Sequence, residues 1–221
     1  MIRRDYLLRQ IEDFVVVLAK MTGLAKDAQW QEASAIAGAE FKALAGADAT
    51  ELLRMSDTEL LARLIEGEPT FNVENKIFML ATLFKARGDL LVRQGQPDEG
   101  RPYYLKGLHL LLDALGRSET PRRPDFAPTV ETFVIALGDA PLPLDTSAML
   151  MRHYEQIGQF GRAEDMLFTI LDITPASAEL LDFGAAFYRR LLQVNDEMLA
   201  AGNLPREEVK AGLAELNKRK V

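Results

Sequence analysis

Residues able to do chemistry are few in this chain, and they are scattered. It has two histidines, His109 and His153, and no cysteine. The imidazoles stand 44 positions apart with no HExxH spacing. Two ligands one helical turn apart are what lets a helix grip zinc, so a histidine zinc site is not expected. Each histidine is read as a packed or solvated helix residue. Without cysteine there is no thiolate nucleophile, thiolate metal site or disulfide, which agrees with a reducing compartment. No GxxxxGK[ST] phosphate cradle, no GxGxxG after a strand and no GxSxG elbow occurs. No catalytic residue, metal ligand or cofactor is assigned.

Charged residues at helical spacing are what remains. Lys85, Asp89 and Arg93 follow one another at four-residue intervals, and Arg152, Glu155 and Gln156 cluster in the same way. Such ladders on an exposed helix contribute ~0.2–0.5 kcal/mol per pair and usually dress a surface. A third basic cluster, Arg117, Arg122 and Arg123, sits in the Pro-rich stretch from Gly116 to Pro128, where Glu119 and Asp125 dilute it.

The elements that must position these residues read as helices throughout. Leu7, Ile11, Phe14, Leu18 and Met21 recur at spacings of four, three, four and three, one face of a first helix. A second helix is expected from about Ala28 to Leu44, capped by Gly46. Ser56-Asp57-Thr58-Glu59 forms a capping box for a short third, which Gly67 and Pro69 stop. A fourth runs from about Val73 to Arg93. After the turn at Gly95, Pro97 with Asp98 and Glu99 opens a fifth, ending near Leu115. Next comes a polar loop over 116–128, a short helix near Thr129–Leu137, and a helix capped by Asp145. Thr174-Pro175 is expected to open one long helix toward Ala201, and Arg206–Lys218 to form the last. No strand-period run is present. The expectation is a single all-α domain of about ten helices over 1–221.

Ser147–Pro175 (SAMLMRHYEQIGQFGRAEDMLFTILDITP) holds one complete helix–turn–helix unit. Leu150, Met151 and Tyr154 form its first stripe. Gly158 makes the turn, and Phe160, Ala163, Leu167, Ile170 and Leu171 form the second stripe. The order of aromatic, small and apolar residues resembles a tetratricopeptide repeat, whose helices approach through small side chains. Phe84, Gly88, Gly95, Gly100, Tyr104 and Gly107 carry the same order, with Arg87 where a leucine is usual. Trp30, Ala33, Ala37 and Phe41 echo it weakly. The anchors Ala33, Gly100 and Ala163 stand 67 and 63 residues apart, against the ~34 of a tandem array, so the units are diverged. Arg4-Asp5-Tyr6-Leu7, Ile11-Glu12 and the Gly88…Gly95…Tyr104–Leu108 block also resemble a bacterial family of tetratricopeptide-like proteins with no assigned activity.

These resemblances imply antiparallel helix pairs stacked in a diverged tetratricopeptide-like superhelix. Its parts would be N-terminal helices over 1–67, a unit at 73–115, the loop at 116–128, the clearest unit at 145–175 and capping helices over 176–221. They also imply an inner groove lined by first-helix positions, which places Lys85, Asp89, Arg93, Arg152, Glu155 and Gln156 as candidates to hold a peptide. A net charge of −7 repels phosphate backbones and anionic membranes, so neither nucleic acid nor a membrane is an expected partner. The uncharged run Phe14–Ala19 is too short for a signal core or a span, and a cytoplasmic location is expected. The leading expectation is a non-enzymatic scaffold binding a protein or peptide. The alternative is a homodimer, or subunit of a complex, joined through the apolar N-terminal helix.

Overall fold

The computed structural model describes residues 2–66, 70–117, 123–173 and 177–219; side chains at 2–7 and 70–71 lie outside it. Gly67, Pro69, Arg122 and Thr174-Pro175 therefore fall outside the description. Among the described residues all regular structure is helical, in twelve helices. The chain packs as two compact units, Met1–Ala140 and Pro141–Val221.

The first unit contains α1 (Ile2–Lys26), α2 (Trp30–Ala45), α3 (Ala49–Arg54), α4 (Asp57–Ile65), α5 (Thr70–Arg93), α6 (Pro97–Gly116) and α7 (Val130–Leu137). α5 and α6 form a helical hairpin at its centre, against which α1, α2, α4 and α7 pack. The hairpin closes at Gly95 (φ +78°), where Gln96 N–H donates to Leu91 O at 2.9 Å. That bond reaches back five residues and satisfies a carbonyl the helix end leaves orphaned. The small residues lie where the backbones meet. A Cβ at Gly100 would stand 3.0 Å from Gly88 O, and one at Gly107 would stand 2.7 Å from the Phe133 ring. Phe41 of α2 meets Phe84 edge-on with centroids 4.9 Å apart, so the weak N-terminal echo packs on the central hairpin.

The second unit contains α8 (Leu144–Gln156), α9 (Phe160–Ile173), α10 (Ala178–Leu191), α11 (Asp196–Ala201) and α12 (Arg206–Arg219). Leu150, Met151 and Tyr154 are buried against Phe160, Ala163, Leu167, Ile170 and Leu171, as their spacing predicts. This hairpin closes like the first: Gly158 has φ +74°, and Gln159 N–H donates to Tyr154 O at 2.9 Å. The Arg162 guanidinium lies 4.0 Å from the Tyr154 ring centroid and braces the turn.

Five expectations are corrected. Asp48, whose side chain accepts from Thr50 N–H and Glu51 N–H, starts a six-residue α3 that hydrophobic periodicity is too short to reveal. The expected long helix toward Ala201 breaks between α10 and α11. Asn195 caps α11 by accepting from Met198 N–H at 2.8 Å, and Arg206 Nη1 donates to Leu192 O at 2.9 Å. A side chain from α12 thus supplies the partner that lets α10 end. Asp145 lies in the first turn of α8 rather than capping it; Pro143 holds the cap position. In the polar loop, Phe126 packs edge-on against Phe14 with centroids 5.6 Å apart and Ala127 is buried, so that end of the stretch belongs to the core. Arg93 is not part of the Lys85–Asp89 ladder, whose third member is Tyr104.

Candidate functional site

The two ladders singled out in the sequence belong to different units and have different fates. Lys85 and Asp89 are bonded to one another within the first. Lys85 Nζ donates to both Asp89 oxygens, at 2.6 and 2.8 Å, and Tyr104 Oη donates to Asp89 Oδ1 at 2.8 Å. Gly88 makes this possible. A Cβ there would stand 2.4 Å from the Tyr104 ring, so the missing side chain admits the phenol to the carboxylate one residue further on. Burial first, and the Asp89 carboxylate second, push the Tyr104 hydroxyl far above its ordinary range, so it stays a donor. Only 14% of the Lys85 side chain remains exposed. Arg93 is exposed, and with Asp89 it borders a recess of about 80 Å³ beside Met21 and Ala25, too small for a peptide.

The second ladder is brought together. Ala148, Arg152 and Glu155 recur at helical spacing on the face of α8 that flanks its buried stripe. With Met149, Met151 and Gln156, and with Phe183 and Arg190 from α10, they line a concavity of about 700 Å³. Such a volume lies within the range of ligand sites. Glu155 and Arg190 join its two walls: Arg190 Nε and Nη2 donate to the two carboxylate oxygens at 2.6 and 2.8 Å. The bidentate fork bridges α8 and α10. Arg152 is exposed and bonds to no described residue, and Phe183 keeps 40% of its surface exposed. The groove thus offers an uncommitted guanidinium, an amide and an apolar floor. Phe183 and Arg190 escaped the sequence reading. Both lie on one face of α10 at an i, i+7 spacing, but nothing local says that this face turns to α8.

A polar cluster in the first unit was also invisible in sequence. Asp57, the first residue of α4, accepts from Lys106 Nζ at 2.8 Å and from His109 Nδ1 at 2.7 Å, while Lys106 Nζ also donates to Met55 O at 2.7 Å. The ionised carboxylate only accepts, so His109 carries its proton on Nδ1. The bond from His109 is the largest cause holding the Asp57 carboxyl down at about 2, with Lys106 adding to it against the cost of burial. All three residues tie α4 to α6. His153 lies half-buried on α8, in the other unit. Among the described residues no three His, Asp or Glu gather in metal-binding geometry, and no helix is long and apolar enough to cross a membrane.

Fold and groove together define an all-helical protein of hairpin pairs, with a cleft formed between non-consecutive helices. Residues 1–221 match the family described as "Family of unknown function (DUF6483)", and the chain belongs to that family. No curated protein and no solved structure matches it.

Proposed function

We propose that the protein is a non-enzymatic interaction scaffold of tetratricopeptide-like build, whose α8–α10 groove holds a short peptide bearing an acidic side chain or a C-terminal carboxylate. The observation that carries this is Arg152, a guanidinium without an ion-pair partner among the described residues, in a concavity that Gln156 and the apolar Met149 and Phe183 also line. A planar fork of donors suits a carboxylate, and an apolar floor suits the neighbouring side chain. The repeat-like reading draws support from the two hairpins. Leu91, Gly95, Gln96 and Gly100 in one hold the same backbone bonds as Tyr154, Gly158, Gln159 and Ala163 in the other, a constant offset of 63 residues. A chain without cysteine suits the reducing cytoplasm, where we place it.

The test is selection from a random peptide library on the intact protein, followed by affinity measurement by fluorescence anisotropy. Selected peptides should share a carboxylate and an adjacent apolar residue. Arg152→Ala removes a charge-assisted hydrogen bond of ~1.5–3 kcal/mol, so affinity should fall roughly ten- to a hundredfold. Arg93→Ala should leave it unchanged. Peptides that bind Arg152→Ala as tightly as the wild type would place the interaction elsewhere.

A second reading, a homodimer through α1, rests on Leu8, Val15 and Val16, which keep 48%, 43% and 67% of their surface exposed. Exposed aliphatic residues clustered on one helix suit a self-complementary two-fold contact. Sedimentation would show a dimer that Val16→Glu converts to monomer; a wild-type monomer at high concentration removes this reading.

A further inference from the structure

Arg87 departs from the repeat pattern, standing where a leucine is usual, and the structure gives that departure a use. It lies half-buried on α5 and lines a pocket of about 470 Å³ between α2, α3, α5 and α6. Long charged side chains are rarely drawn inward without a counter-ion. Yet Arg87 has no carboxylate partner among the described residues. Its Nη1 donates to the neutral Ser34 Oγ at 2.7 Å, and its guanidinium carbon lies 5.9 Å from the Tyr103 ring centroid. One bond and one ring contact orient the fork and leave most of its five donors unmatched. Arg54, also bonded to no described residue, lines the same pocket from the end of α3.

The acids on the wall are already committed. Asp48 accepts from Thr50 N–H and Glu51 N–H at 3.0 Å each, and Glu51 accepts from Arg63 Nη1 at 3.1 Å. Without a counter-ion, then, two guanidinium groups, Arg87 and Arg54, face the space against one carboxylate, Asp48, whose oxygen is turned to backbone N–H groups. The floor is kept open by small residues: Gly38 lines the pocket, and a Cβ there would meet nothing within 4 Å. We propose that this pocket is a binding site for a small organic oxyanion, a carboxylate or phosphate monoester gripped by Arg87 and Arg54. Its volume lies within the ~300–1,000 Å³ of small-molecule sites and exceeds what a bare anion needs, so the ligand carries an organic body.

Calorimetry on the full chain would use succinate, benzoate, glycerol phosphate and glucose phosphate as probes, with inorganic phosphate as the bare anion. At least one organic probe should bind, and more tightly than inorganic phosphate. Carboxylates and phosphate esters are separated by which arm gives heat. Arg87→Leu restores the residue usual in a repeat and so should fold with an unchanged thermal midpoint. It should weaken binding by roughly ten- to a hundredfold, as expected for a lost charge-assisted bond. Gly38→Leu takes up space in the pocket while keeping both arginines in the chain and should weaken binding comparably. No heat from any organic probe at millimolar concentration overturns the proposal. So does binding that survives Arg87→Leu, or binding lost in Arg87→Leu but intact in Gly38→Leu, which would mean surface charge without a pocket.

Discussion

Asp57 shows how much one carboxylate can organise. It stands at the first position of α4, where the helix dipole already favours a negative charge, and it gathers Lys106 and His109 from α6. Its folded-state pKa, held down at about 2, lies below the ordinary carboxylate value. The stability it contributes is therefore fully present above the ordinary value near 4 and is lost as pH falls toward 2. Because 37% of its side chain is exposed, solvent screening reduces the contribution to on the order of 1 kcal/mol. Asp57→Asn should lower the unfolding free energy from urea titration at pH 7 by that amount and flatten the loss of stability between pH 4 and pH 2. Parallel acid limbs for the variant and the wild type would show that the cluster does not couple protonation to folding.

At the scale of elements, the hairpin α8–α9 depends on how closely its backbones approach. Ala163 is fully buried at that contact, opposite the stripe of Leu150, Met151 and Tyr154. Ala163→Leu inserts three carbons into a packed space and should destabilise by ~1–3 kcal/mol, lowering the thermal midpoint by several degrees. Calorimetry showing an unchanged midpoint would mean that the two helices meet elsewhere along their length. The order of aromatic and small residues that marked this hairpin in the sequence is a packing rule. For that reason it was readable without coordinates, whereas the break between α10 and α11 was not. That break draws on Arg206, 14 and 12 positions downstream, which donates to the Leu192 and Val194 carbonyls.

For the molecule as a whole, the second unit carries its own apolar set: Tyr154, Leu167, Phe187, Tyr188, Leu199 and Val209 are all buried there. The fragment 141–221 should therefore show helical circular dichroism and a cooperative melt. It would be less stable than the intact protein, since a chain of this size buries only about 60% of its unfolded surface. A non-cooperative melt would mean that this core is not self-sufficient.

The sequence alone determined that this chain is helical, where its hairpins turn and which small residues let helices touch, because periodicity, capping and turn chemistry act over a few residues. It also placed Arg152, Glu155 and Gln156 on one face of α8, since a helix of 3.6 residues per turn leaves no other arrangement. The opposite wall of their groove, Phe183 and Arg190, was decided by tertiary structure. So was the pairing of Lys85 and Tyr104 with Asp89, and the meeting of Asp57 with a histidine 52 residues away. The reason is the same in each case. Whether a charged side chain meets solvent, a counter-ion or an empty pocket depends on which helix face packs beside it, and that choice is made by the summed burial of the whole core rather than by any local run of residues.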